Sequence, residues 1–284
     1  MQFFLNALFL TLSQMLSLFG IIFGLGFSIY FLEKQISSLL GWKKLMWTAW
    51  LGTPLHEIGH VFFCIVFRHK LLEIKLFKPD PKTGVLGYVN HAYNKDSFYQ
   101  NLGNLFIGAG PLILGSIVIY NLTILAIPNA SSLITDYTML AQKRIEFDSG
   151  LFTYLISLAE ISTKTLSVIC TIENISSFKF WTYFYVVFCI STHMAPSPTD
   201  FKGGITNGIT TFFLLLLFVN IINEPIVDLF GINVFNDFFI KLMGYQAILS
   251  GLLIFSLLIV LLNYLLTVIF NRVTLHISKG KSRT

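Results

Sequence analysis

Residues 56–60 read His56-Glu57-Ile58-Gly59-His60 and lie inside the apolar run 45–67. On a helix, positions i and i+4 sit one turn apart on one face, so both imidazoles address the same point. Two histidines so placed can hold one Zn²⁺, with the glutamate between them in reach of a zinc-bound water. Zinc brings the pKa of such a water to about 7. Glu57 is then the expected general base, taking the water's proton and passing it to the leaving amine of a peptide bond. With six His and seven Glu in 284 residues, chance placement yields such a motif in roughly 0.3% of sequences. Location adds weight, because an ionisable side chain at mid-bilayer depth costs about 3 kcal/mol and is usually functional. Three of them in five positions, with no Lys or Arg inside the run, call for a cation.

A catalytic zinc takes three protein ligands, so one is still to be found. Asp200, His193, Glu160 and His91 are the candidates. Asp200 follows Pro196 and Pro198, where irregular backbone would line a cavity. Ser197-Pro198-Thr199-Asp200 equally matches a capping box opening the next helix, and both readings stand. Thr53-Pro54, just before the motif, suits a helix restart or a kink. Cys64 continues the His56/His60 face and reads as a small buried thiol.

The elements that carry these residues belong to a membrane protein. Charged residues make up 12% of the chain, about half the share needed to cover a water-facing surface, and mean hydropathy is +0.73. Apolar runs fall at 1–32, 45–67, 102–127, 180–190, 209–222 and 248–270. The reading is a mainly α, polytopic membrane protein of about six spans, with residues 1–284 forming a single integral membrane domain. Residues 1–32 lack a basic n-region and read as a retained span. Cys64, Cys170 and Cys189 form no disulfide framework. The net charge of +5 does not point to nucleic acid, because its clearest cluster is the tail 271–284 with Arg272, Lys279, Lys281 and Arg283. Basic residues after a last span mark the cytoplasmic side, which suggests a cell-membrane protein with a cytoplasmic C-terminus.

Two segments between runs are not plain loops. Residues 71–93 hold two strand-like runs around Pro79-Asp80-Pro81-Lys82-Thr83-Gly84, which predicts a short β-hairpin after the second span. Residues 151–171 carry Glu160 and Lys164 at i,i+4 spacing and suit an amphipathic interfacial helix over a span. If that segment does not cross, Lys143, Arg144, Lys164 and Lys179 are external. The cluster Arg68, Lys70, Lys75, Lys78, Lys82 and Lys95 is then internal, although Lys34, Lys43 and Lys44 fall outside.

These pieces together resemble the site-2 protease family of intramembrane zinc metalloproteases, over residues 45–205. The similarity rests on His56-Glu57-Ile58-Gly59-His60, on Gly87-Tyr88-Val89, on Gly110-Pro111, and on Pro196, Pro198 and Asp200 before Gly203-Gly204. The resemblance implies that Asp200 is the third zinc ligand. It also implies that the hairpin is membrane-associated, with residues 85–92, and Gly87, Tyr88 and Val89 above all, offering an edge to an extended membrane-anchored substrate. An ordinary packed hairpin fits the same residues. The chain departs from the family in reading Ser197-Pro198-Thr199-Asp200-Phe201-Lys202-Gly203, in having His193 where the family often has Asn, and in lacking a PDZ-like insertion. Two other functions fit a zinc-binding membrane protein: a transporter or zinc sensor, and an inactive protease-like scaffold. The first needs further intramembrane acids, and Asp228 and Asp237 read as loop residues; the second has no use for Glu57.

Overall fold

In the computed structural model, residues 2–128, 130–133, 136, 151–200, 202, 206–230 and 235–281 are described. The loop with Lys143 and Arg144, Gly203-Gly204 and the last residues of the basic tail lie outside them. The first two apolar runs join in one element, α1 (Gln2–Val66), which Gly41 breaks at φ 68° and ψ 169°. That backbone region is essentially closed to residues with a Cβ, so the glycine sets where the helix changes direction. α1 continues through Pro54, and Thr53 Oγ1 is buried without a hydrogen-bond partner instead of capping a new helix.

The hairpin forms as the turn chemistry predicts. Strands β1 (Lys70–Lys75) and β2 (Tyr88–Ala92) pair antiparallel, with Ile74 opposite Val89 and an irregularity between Leu71 and Glu73. Asp80 organises the connection: its carboxylate accepts from the Lys82 N–H at 2.9 Å and from the Thr83 hydroxyl at 3.0 Å, and Gly84 supplies the positive φ. Then follow α2 (Phe98–Ala126), capped by Ser97, α3 (Leu151–Ile169), the single turn α4 (Ile172–Ile175) and α5 (Phe178–Ser191). One further turn, α6 (Pro198–Asp200), precedes α7 (Thr206–Phe230) and α8 (Asn236–Lys281).

Among the described residues four helices are long and apolar enough to cross a bilayer: Phe3–Val66, Phe98–Ala126, Thr206–Asn223 and Phe238–Val273. The chain is therefore a mainly helical membrane protein, with four such helices among the described residues against about six apolar runs in the sequence. The first two predicted spans share α1, and the fourth run folds as the 14-residue α5. At 1.5 Å per residue α5 reaches only about 21 Å, short of a core of about 30 Å.

One buried cluster ties the ends of the chain together, with Ile29 and Ile36 of α1, Leu112 and Ile119 of α2, Val187 of α5 and Leu253 of α8. Where hydrocarbon surrounds the helices, polar side chains add adhesion. Asn220 of α7 donates to both Thr11 and Gln14 of α1 at 2.9 Å. Lys164 on α3 pairs with Asp136 at 2.5 Å, so the expected partnership with Glu160 gives way to one from outside the helix.

Candidate metal centre and its cavity

His56 and Glu57 share one turn near the end of α1 and His60 lies on the next, and Glu57 and His60 are each 6% exposed. α1 meets α2 where a Cβ on Gly59 would stand 2.8 Å from the Gly110 carbonyl carbon and a Cβ on Gly110 2.5 Å from the Gly59 oxygen. Only two glycines permit backbones this close. The next residue, Pro111, has no N–H to fill the Ile107 carbonyl one turn earlier. That carbonyl instead accepts the Nδ1–H of His60 at 2.8 Å. Gly110-Pro111 thus brings the helices together and frees the acceptor that orients His60.

His56 is held in the same way from another element. α5 ends at Ser191, and the His193 carbonyl just beyond accepts the Nδ1–H of His56 at 2.7 Å. With both Nδ1 atoms donating, the Nε2 atoms of the neutral rings carry lone pairs, and these face each other at 3.1 Å. Two lone pairs at that distance repel unless a cation lies between them. Donors on one tetrahedral Zn²⁺ at 2.0–2.1 Å lie about 3.3 Å apart, close to the distance found.

Asp200 closes the triangle, with Oδ1 at 3.4 Å from His60 Nε2 and Oδ2 at 3.9 Å from His56 Nε2. The carboxylate also makes the capping-box contacts expected from the sequence. Its Oδ2 accepts from the Ser197 N–H at 2.7 Å and the Ser197 hydroxyl at 2.8 Å, and its own N–H reaches Ser197 Oγ at 3.3 Å. The capping box orients the carboxylate that the histidines meet. His56, His60 and Asp200 place their ligand atoms within 4.8 Å of one another, a set suited to Zn²⁺.

The other third-ligand candidates go elsewhere. His193 gives its Nε2 to Thr48 Oγ1 at 2.9 Å and turns Nδ1 to Glu33 Oε1 at 3.4 Å. Glu160 is exposed on α3 and does not line the cavity. His91 does line it but pairs with His69, Nδ1 to Nδ1 at 3.0 Å. Burial, then the neighbouring His69 and His60, push His91 down to about 4, and burial lowers His69 as well. Both rings are neutral near pH 7.

The cavity measures about 1060 Å³ and is walled by Glu57, by Gly84–His91 of the hairpin, by Ile107 and Gly108 of α2, and by His193 and Asp200. Gly87 packs against Glu57: a Cβ there would stand 2.8 Å from the Lys75 oxygen, 2.9 Å from the Leu76 oxygen and 3.0 Å from Glu57 Cγ. Tyr88 and Val89 follow on β2, whose outer side has no partner strand in the two-stranded sheet.

Sequence reasoning missed Glu33, Asn104 and His69. Glu33, just past the first apolar run, lines the cavity beside His193. Asn104, 1% exposed, also lines it, and neither its Nδ2 nor its Oδ1 has a hydrogen-bond partner. An amide side chain inside an apolar run was the available sequence signal for Asn104. No family model, curated protein or solved structure matches the chain.

Proposed function

We propose that the chain is an intramembrane zinc metalloprotease that hydrolyses a peptide bond of a membrane-anchored peptide or protein. The observation that carries this reading is the convergence of two histidine lone pairs and the Asp200 carboxylate beside Glu57, on the wall of a cavity bordered by a free strand edge. Zn²⁺ bound by His56, His60 and Asp200 would supply Lewis acidity, polarising a carbonyl and making water acidic near neutral pH.

The chain's own residues do the rest. Glu57 accepts a proton at its carboxylate from the attacking water and delivers it to the leaving amine. Tyr88 and Val89 offer backbone groups to an extended substrate, which makes it a third strand and sets the scissile bond along the cavity. Gly87 lets that strand approach Glu57 without a side chain between them. Asn104 offers the cavity an amide donor and acceptor suited to a peptide group. α7 starts beside the hairpin, with Asn207 donating to the Tyr93 hydroxyl at 3.3 Å, so the chain returns across the bilayer between α2 and α7. The hairpin and the C-terminus then share a side, cytoplasmic by the positive-inside tendency of the cluster from Arg68 to Lys95 and the basic tail.

The test is Glu57→Gln in purified protein. Bound zinc should equal wild type, while cleavage of a membrane-anchored substrate falls by about 100-fold or more. Proteolysis retained in that variant sinks the mechanism.

A further inference from the structure

A second group of metal-ligating side chains lies one helical turn beyond His60. Cys64 on α1 is fully buried, His69 just past the helix end is 6% exposed, and His91 projects from β2. Their donor atoms all lie within 4.8 Å of one another. A thiolate and two imidazoles on a common tetrahedral ion sit about 3.3–3.7 Å apart, so a small inward movement completes the set.

Hydrogen bonding fixes which atoms are available. His69 donates its Nε2–H to the Gln100 carbonyl at 2.9 Å, which leaves its Nδ1 with the lone pair. A ring nitrogen bonded to a main-chain carbonyl is the usual support of a metal-binding histidine. Tyr93 stacks on the His69 ring at 4.9 Å and 18°, fixing its plane. That lone pair points at His91 Nδ1, 3.0 Å away. Without a metal, His91 donates a proton across this gap; in its other tautomer both lone pairs converge beside the Cys64 sulfur.

We propose that Cys64, His69 and His91 form a second metal site, for a borderline-soft divalent ion of the Zn²⁺ class, that fastens β2 to the end of α1. Sulfur and imidazole ligands select for such ions over Mg²⁺ or Ca²⁺. Binding releases the Cys64 proton to solvent as the thiolate forms. The site shares no ligand with His56, His60 and Asp200, so it stands or falls separately from the proposed protease centre.

The experiment is Co²⁺ titration of the full-length, metal-stripped, reduced protein in detergent, following the near-ultraviolet thiolate-to-cobalt charge-transfer band. Only a site with a cysteine ligand produces that band. Wild type should develop it and saturate with one thiolate-bound cobalt; Cys64→Ser and His91→Gln should each lose it. His60→Ala and Cys170→Ser should keep it, the former even if the other centre binds nothing. His91→Gln, on a surface strand, covers the case in which Cys64→Ser fails to fold. Absence of the band in wild type, or its persistence in either Cys64→Ser or His91→Gln, overturns the proposal.

Discussion

Pro111 and His60 are linked through a single atom, the Ile107 carbonyl oxygen, which the proline leaves unfilled and the histidine takes at 2.8 Å. A residue on α2 thereby sets the ring orientation of a residue on α1. Side chains that supply a metal ligand's second hydrogen bond are typically worth about 10–100-fold in affinity.

Pro111→Ala should separate metal affinity from helix stability. The new N–H competes for the Ile107 carbonyl, so zinc affinity should fall by about 10–100-fold. The helix itself gains a hydrogen bond and loses a ring clash, so thermal stability should hold or rise. Competition with a chelator and a melting curve on one preparation read both.

Gly87→Ala should leave bound metal unchanged and impair turnover. Its Cβ meets the Lys75 and Leu76 oxygens and Glu57 Cγ at 3.0 Å or less. The hairpin must then move off the base, at a cost of about 1–3 kcal/mol. Faster protease nicking within residues 79–84, with unchanged zinc content, is the expected pair of results.

Ser197→Ala removes the hydroxyl that Asp200 accepts from at 2.8 Å, together with the cap of α6. Loss of such a cap costs about 1 kcal/mol, and the carboxylate loses its fixed aim. Zinc affinity should drop by about 10-fold, with metal retained at saturating concentration. Asp200→Ala should lose far more, and equal zinc affinity in the two variants would remove Asp200 from the ligand set.

The hairpin turn should loosen in acid. The Lys82 N–H, then the Thr83 hydroxyl, hold the Asp80 carboxyl below its ordinary value of 3.8. A carboxyl depressed in the folded state contributes stability above its unfolded value and loses it as pH falls through the folded one. The protection factor of the Lys82 amide, high above pH 4, should fall below that range, and Asp80→Ala should show the low protection at every pH.

The features legible in the sequence were those with local causes. His56, Glu57 and His60 share a face because of helical spacing, and Pro79–Gly84 turns because of its residue types. Asp200 was left between cap and ligand, and in the structure its carboxylate accepts from Ser197 while lying 3.4 Å from His60 Nε2. The first two runs lie in one long element that Gly41 kinks, and the fourth folds as a helix of 14 residues, neither of which hydropathy registers. Glu33 was illegible for the same reason: its place beside His193 depends on contacts between segments far apart in the chain. Pro111 was noticed for its type, while its effect on His60 required knowing which carbonyl it exposes.

The cavity draws its wall from Glu33, His56, Gly87, Asn104, His193 and Asp200, a spread of most of the chain. A chain emerging from the ribosome therefore carries both histidines and Glu57 long before it carries the aspartate that completes their triangle. The hydrolytic centre we propose is thus incomplete until the chain has been made as far as residue 200.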